Sequence, residues 1–246
     1  HCEVAELLRA YEFIARRRTD LKPLEAYSEA RPPHNEALAI AIAGQMAHYT
    51  GCRNINLLHL SSRAAVEAAL TVREAYPEID FGLEATAGHL LLDTGCRMGV
   101  WAKVNPPIRP RADVEYLWEK VLDGTIEWIV TDHANCPRDM KRDEKEPDDI
   151  WKAKAGFGGV EYLLPGIFSE GSARGLSYNR MAELLCWNPS RRFGLLNKGD
   201  IDIGYDADLA LLDPDETWVI HAEDSPSAQG YTPFEGIELT GRVKRT

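Results

Sequence analysis

The sequence predicts an α/β protein built on a parallel sheet and followed by a small β appendage. Strand-length apolar runs alternate with stretches of helical periodicity, and the connections between them are short. Beyond about residue 197 the texture changes to brief β segments separated by Gly and Asp.

The elements follow in order. Helical periodicity covers Glu3 to Arg18 and Asn35 to Tyr49, the second with an apolar stripe of Ala37, Leu38, Ile40, Ala41 and Ala47. Ile55 to Leu60 (INLLHL) is a strand-length apolar run. Ser61 and Ser62 then offer capping hydroxyls to a helix through Ala64 to Ala75. Ile79 to Ala85 (IDFGLEA) reads as a strand, followed by a loop into the turn-rich Asn105-Pro106-Pro107. Asp113 to Leu122 reads as a helix and Ile126 to Thr131 as a buried strand. Helix resumes over Gly159 to Glu170 and Tyr178 to Cys186. In the appendage, Gly199 to Gly204 (GDIDIG), Asp208 to Asp213 (DLALLD) and Trp218 to His221 read as short β segments. The charged run Arg138 to Asp149 reads as a solvated loop.

Bulk properties narrow the function. A chain of 246 residues, 44% hydrophobic, can bury a large core. A formal charge of -11 argues against nucleic-acid partners, which need a basic footprint. No apolar run reaches the ~18 residues a membrane span requires. Five scattered cysteines (Cys2, Cys52, Cys96, Cys136, Cys186) form no C-x-x-C pair, which points to reduced thiols and a cytoplasmic setting.

The segment Glu127 to Pro137, EWIVTDHANCP, carries the chemistry. A strand that should be buried runs straight into Asp132 and His133, groups that are costly to leave dry and unpaired. His59 closes INLLHL in the same way, and His1 opens the chain just before a helix. In a parallel α/β barrel the carboxyl ends of different strands converge on one mouth. Two imidazoles and a carboxylate gathered there suit a first-row metal. Each His alone reads more readily as a core or helix-cap residue than as a ligand; it is the shared topological position that makes the set informative. His133 reads as orienting its neighbour or the backbone. Cys136 as a nucleophile lacks a supporting His-Asn arrangement.

The chain resembles the cyclic amidohydrolases: dihydroorotases, dihydropyrimidinases or hydantoinases, and allantoinases. The matching motifs are His1-Cys2-Glu3, His59-Leu60-Ser61-Ser62, Lys103-Val104-Asn105-Pro106-Pro107-Ile108-Arg109, Thr131-Asp132-His133, Gly159-Val160-Glu161 with Leu164-Pro165, and Asn188-Pro189. Gly204-Tyr205-Asp206-Ala207-Asp208 and Thr232-Pro233-Phe234-Glu235-Gly236 follow, in the family's order. The resemblance implies the C-terminal part of a TIM-type (β/α)8 barrel over residues 1–196, from the end of strand five through strand eight. It implies part of a flanking β-sandwich over residues 197–246. His1 and His59 would be zinc ligands, and Asp132 would bind a second metal and shuttle the proton, with one or two ions present. Asn105, Cys136 and the backbone at Ala155 and Gly156 would contact the cyclic substrate. A homo-oligomer is usual in the family.

The family's H-x-H pair and its metal-binding lysine would lie before residue 1, so the resemblance implies a slice of a longer enzyme. Ring opening of the dihydroorotase type, in pyrimidine metabolism, is the leading subtype because of KVNPPIR. Hydantoinase and allantoinase activity are the alternatives, and a non-catalytic scaffold is the reading from another class. Two departures bear on the subtype. TDHANC puts Cys136 where a dihydroorotase usually has a carboxylate-binding His, and EATAGHLLL replaces the family's TPHH run while keeping His89.

Overall fold

The computed structural model describes residues 1–246. Three parallel strands, β1 (Asn54–Leu57), β2 (Asp80–Thr86) and β3 (Trp128–Val130), lie side by side with β2 in the centre. Asn54 to Leu57 pair with Asp80 to Leu83, and Glu84 to Thr86 pair with Trp128 to Val130. β1 therefore holds the first half of β2 and β3 the second, so the sheet is staggered along its middle strand.

Helices α1 (Ala5–Ala15), α2 (Pro23–Ala30) and α3 (Pro33–Thr50) precede the sheet. The crossovers between strands are made by α4 (Arg63–Ala75), then by α5 (Ala87–Leu91) and α6 (Arg111–Leu122). After β3 come α7 (Arg138–Lys141), α8 (Leu163–Ala173), α9 (Tyr178–Ala182), one π-helical turn over Glu183–Trp187, and α10 (Asn188–Arg192). An antiparallel ribbon of β4 (Leu211–Val219) and β5 (Glu238–Arg245) closes the chain. No helix is long and apolar enough to cross a membrane.

β2 is buried from Phe81 to Thr86, as expected of a central parallel strand covered on both faces. Phe81, Leu83 and Ala85 join Leu57, Val66, Leu117, Trp118 and Ile129 in the larger core cluster. On the other face, a Cβ at Gly82 would lie 2.2 Å from the Trp128 ring. A missing side chain on β2 thus makes room for the largest one on β3. Ser62 caps α4 as expected, its hydroxyl accepting the Ala65 amide at 3.2 Å.

Several expectations are corrected. Gly199–Gly204 is not a strand: Ile201 and Ile203 are 84% and 99% exposed, and the segment pairs with no other. Its apolar-polar alternation has no sheet to bury it. The segments expected at Asp208–Asp213 and Trp218–His221 contribute to one long strand, β4, paired with β5. Arg138 to Asp149 is not simply solvated, because it opens with α7 and contains the wholly buried Lys141. Helices α2 and α5 lie in stretches where no helix was predicted.

The ribbon packs on α8 through one close approach. Gly241 sits at φ +104, and a Cβ there would lie 2.4 Å from the Phe168 ring. Gly241→Ala should lower the urea midpoint, by about 1–3 kcal/mol of unfolding free energy, because it overpacks this contact and strains a left-handed position. An unchanged midpoint would show that Phe168 yields freely.

Candidate active site

The tips of β1 and β3 share a backbone feature. His59, two residues past β1, has φ +40, and Asp132, two past β3, has φ +50; they are the only non-glycine residues at positive φ. Such conformations persist where the surroundings over-determine them, and they cluster at functional sites.

The surroundings of His59 are specific. Its amide donates to Glu84 Oε1 at 3.1 Å, and the Leu60 amide donates to the Glu84 carbonyl at 2.9 Å. Glu84 Oε2 accepts the Trp128 indole N–H at 2.8 Å. Burial pushes the Glu84 carboxyl up, opposed by the indole and the His59 amide.

His1 and His59 are brought together. His1 Nδ1 lies 3.1 Å from His59 Nε2, while His1 Nε2 meets Glu3 at 2.6 Å. Glu3 is itself held by two bonds from Arg31, one of them at 2.9 Å from Nε. The carboxylate accepts the Nε2–H of His1, and Nδ1 on the far side of the ring faces His59. Burial pushes His59 down to about 4, so it is neutral at pH 7. Its Nδ1 is buried without a partner, so the hydrogen bonding of this imidazole does not close within the chain. Two imidazole nitrogens facing each other at this distance fit a shared divalent cation.

Asp132 is placed differently. It faces water, yet partial desolvation raises its carboxyl. Asp132 in turn raises Glu84. No three His, Cys, Asp or Glu side chains converge closely enough to form a complete coordination shell. His133 accepts the amides of Gly159 and Val160 at 3.2 Å each, in keeping with a role in holding the backbone.

The expected substrate contacts line one loop cluster. Tyr27 donates to Asn105 Oδ1 at 2.6 Å, which fixes that amide and leaves its N–H group free to donate. His89 supports the same turn: it meets Thr86 Oγ1 at 2.8 Å through Nδ1 and the Pro106 carbonyl at 3.0 Å through Nε2. The Gly156 amide is already committed to the Lys103 carbonyl at 3.0 Å, whereas Ala155 makes no such bond. Gly156 has φ +107, and a Cβ there would lie 2.9 Å from Ala134. Cys136 is buried, its thiol 3.6 Å from the Pro137 carbonyl.

Buried charges unanticipated from sequence hold these loops. Lys141 donates to the carbonyls of Lys103 at 2.7 Å, Lys154 at 3.0 Å and Gly156 at 2.7 Å. Desolvation pushes it down to about 7, yet three converging acceptors match the three protons of an ammonium. Arg109 donates to Ser61 Oγ at 3.0 Å and the Arg31 carbonyl at 2.6 Å, and pairs with the buried Glu36 at 3.4 Å. Glu36 also accepts both the amide and the hydroxyl of Ser61. The segment carrying Asn105 is thereby tied to the one carrying His59. Buried charge is hard to foresee because the same residues read as surface in a sequence.

A parallel α/β sheet with a pair of imidazoles at one strand tip and an acid past another is the architecture of α/β proteins that place their polar groups beyond the carboxyl ends of the strands. Residues 109–246 match the model of the amidohydrolase family, and the chain belongs to that family. It is 39% identical over 248 residues to an allantoinase of Rubrobacter xylanophilus, covering 98% of this chain and 53% of that protein. It is 36% identical to a dihydroorotase of Halobacterium salinarum, covering 96% of this chain and 52% of that one. The solved L-hydantoinase (dihydropyrimidinase) of Arthrobacter aurescens superposes with a TM-score of 0.90 at 31% identity, over 100% of this chain and 55% of that one. The chain spans about half the length of the curated relatives it matches.

Two outcomes are expected. Arg109→Met should destabilise the chain by about 3–5 kcal/mol by stranding Glu36, and Glu36→Leu added to it should recover much of that loss in urea titrations. A double variant no more stable than the single would refute the pairing. His89, held by burial at about 4 against an ordinary 6.5, leaves the unfolded chain binding more protons between those values. Its contribution to stability therefore falls as pH drops from 6.5 to 4. Between pH 7 and pH 5 the wild type should lose more stability than His89→Gln, and equal losses would contradict the assignment.

Proposed function

We propose that this chain carries part of the active site of a metal-dependent hydrolase that opens a cyclic amide at a C–N bond. The carrying observation is the facing pair of imidazoles, His1 and His59, set by Glu3 on one side and by the left-handed β1 tip on the other. On this reading residues 1–196 are the C-terminal part of a TIM-type barrel, supported by the stagger of β1 and β3 along β2. Residues 197–246 belong to a flanking β domain.

His1 Nδ1 and His59 Nε2 would hold zinc or another divalent ion, with Asp132 at a second position. When bound, such a metal makes water more acidic and polarises a ring carbonyl. Asp132 takes a proton from the attacking water and returns it to the departing ring nitrogen, work suited to a carboxyl whose pKa is raised by partial desolvation. The free N–H group of Asn105 and the uncommitted backbone of Ala155 orient the ring. Gly156 shapes that loop rather than donating to the ligand, since its amide is already bonded.

Cys136 favours an uncharged ring. A buried thiol turned toward a carbonyl offers no positive group to a substrate carboxylate. The preferred substrate is thus a neutral cyclic ureide of the allantoin or hydantoin kind. Dihydroorotate is the second reading, favoured by the KVNPPIR run from Lys103 to Arg109.

The test uses the whole protein containing this chain. Its metal content is measured and ring opening is assayed on allantoin, hydantoin, dihydrouracil and dihydroorotate. Metal bound through His1 and His59, with turnover lowered at least 100-fold by Asp132→Asn (about 2.7 kcal/mol), is expected. Turnover that survives Asp132→Asn would exclude Asp132 as the proton carrier. A protein that binds no divalent metal would overturn the hydrolase reading in favour of a scaffold.

A further inference from the structure

Glu84 lies inside the sheet, one strand away from both candidate metal-binding tips, and none of the chemistry assigned above uses it. It sits two residues beyond Gly82 on β2, so both project to the same face. The space left at Gly82 admits the Trp128 ring, which is how the indole N–H comes to face Glu84 Oε2 at 2.8 Å. The other oxygen, Oε1, takes the His59 amide at 3.1 Å, and the Glu84 carbonyl takes the Leu60 amide. One residue on the central strand therefore grips both amides of the β1 tip and the largest side chain of β3.

The geometry points to Glu84 as a positioning residue: its carboxylate, braced by the Trp128 indole, holds His59 in the left-handed conformation that turns its imidazole toward His1. The inference rests on the metal-site reading, because the imidazole pair is what Glu84 would be positioning. Both carboxylate oxygens are acceptors here, and each faces an N–H. A neutral amide of the same shape cannot satisfy both, since its NH2 group would confront one of the two donors. A residue that merely filled space would be replaced by glutamine without consequence.

The experiment titrates cobalt(II) into the whole protein containing this chain and follows the visible absorption of the bound ion, alongside amide hydrogen exchange at His59 and Leu60. Glu84→Gln should weaken cobalt binding roughly 10- to 100-fold, the range for removing a support behind a metal ligand. It should speed exchange at the His59 amide while leaving the amides of α4 and α6 protected. The double variant Glu84→Gln/Trp128→Phe removes the indole donor, so the glutamine can turn its NH2 away and present its carbonyl to His59. It should recover most of the cobalt affinity and of the His59 protection.

Wild-type affinity and unaltered His59 exchange in Glu84→Gln would overturn the inference. So would a double variant no better than the single. Should the wild-type whole protein bind no cobalt at all, the metal reading fails by itself. The exchange data still decide whether Glu84 holds the β1 tip: selective deprotection of His59, reversed in the double variant, supports it, and uniform protection sinks it.

Discussion

A charge taken out of water must be met by partners, and in this fold that demand fixes which loops are rigid. Glu36 and Arg109 are each about 1% exposed, and neither could remain ionised alone. Arg109 follows the turn that carries Asn105, and Glu36 binds the serine that follows His59. Satisfying the pair therefore joins two loops far apart in sequence. Lys141 acts likewise on the loop after β3, gathering the carbonyls of Lys103, Lys154 and Gly156 around one ammonium. Lys103 points its own ammonium at the carbonyls of Ile150 and Ala153. Each loop that forms the mouth is thus pinned by a desolvated ion rather than by apolar packing. Such pins are directional, and they hold backbone groups to a register that greasy contacts leave loose.

The strands were legible because burial on both faces leaves a plain apolar run, and the turns around them are marked by Ser, Gly and Pro. IEWIVT contains the strand that forms, and INLLHL and IDFGLEA each overlap theirs to within one residue at one end. Helix α4 was legible for a local reason, its Ser62 cap. GDIDIG misled because alternation is a statement about one face, and a face is meaningful only if something covers it. Helices α2 and α5 escaped because they are short, at 8 and 5 residues, and packing rather than periodicity holds them. Lys141 escaped because a lysine in a charged run looks solvated; what buries it is a set of carbonyls contributed by residues 103, 154 and 156.

The candidate site divides in the same way. His1, His59 and Asp132 could be picked out because each sits past or beside a predicted strand end, and the family resemblance gave them roles. What could not be read was the support. Glu3 and Glu84 are acids near histidines in space, one two residues from its partner and the other 25 away. Only pairing between β1 and β2 brings Glu84 to the His59 amide. The Gly156 amide, expected to face a ligand, is spent on Lys103, a commitment visible only once the loops meet.

The left-handed tips explain why the support is built so heavily. In a regular strand, side chains alternate between faces, so a residue past the end follows whichever face its count assigns. A positive φ breaks that count and re-aims the side chain, at a penalty of order 1–3 kcal/mol for a residue other than glycine. Glycine would remove the penalty but carries no imidazole or carboxylate. A chain that needs a functional group there must accept the strain and offset it nearby, and at the β1 tip two hydrogen bonds to Glu84, one from the His59 amide and one from the Leu60 amide, do so. Asp132 has no equivalent carboxylate beneath it and faces water. On the proposed reading, the β1 tip, gripped by Glu84, is the one suited to holding an ion, and the β3 tip, open to water, the one suited to passing a proton.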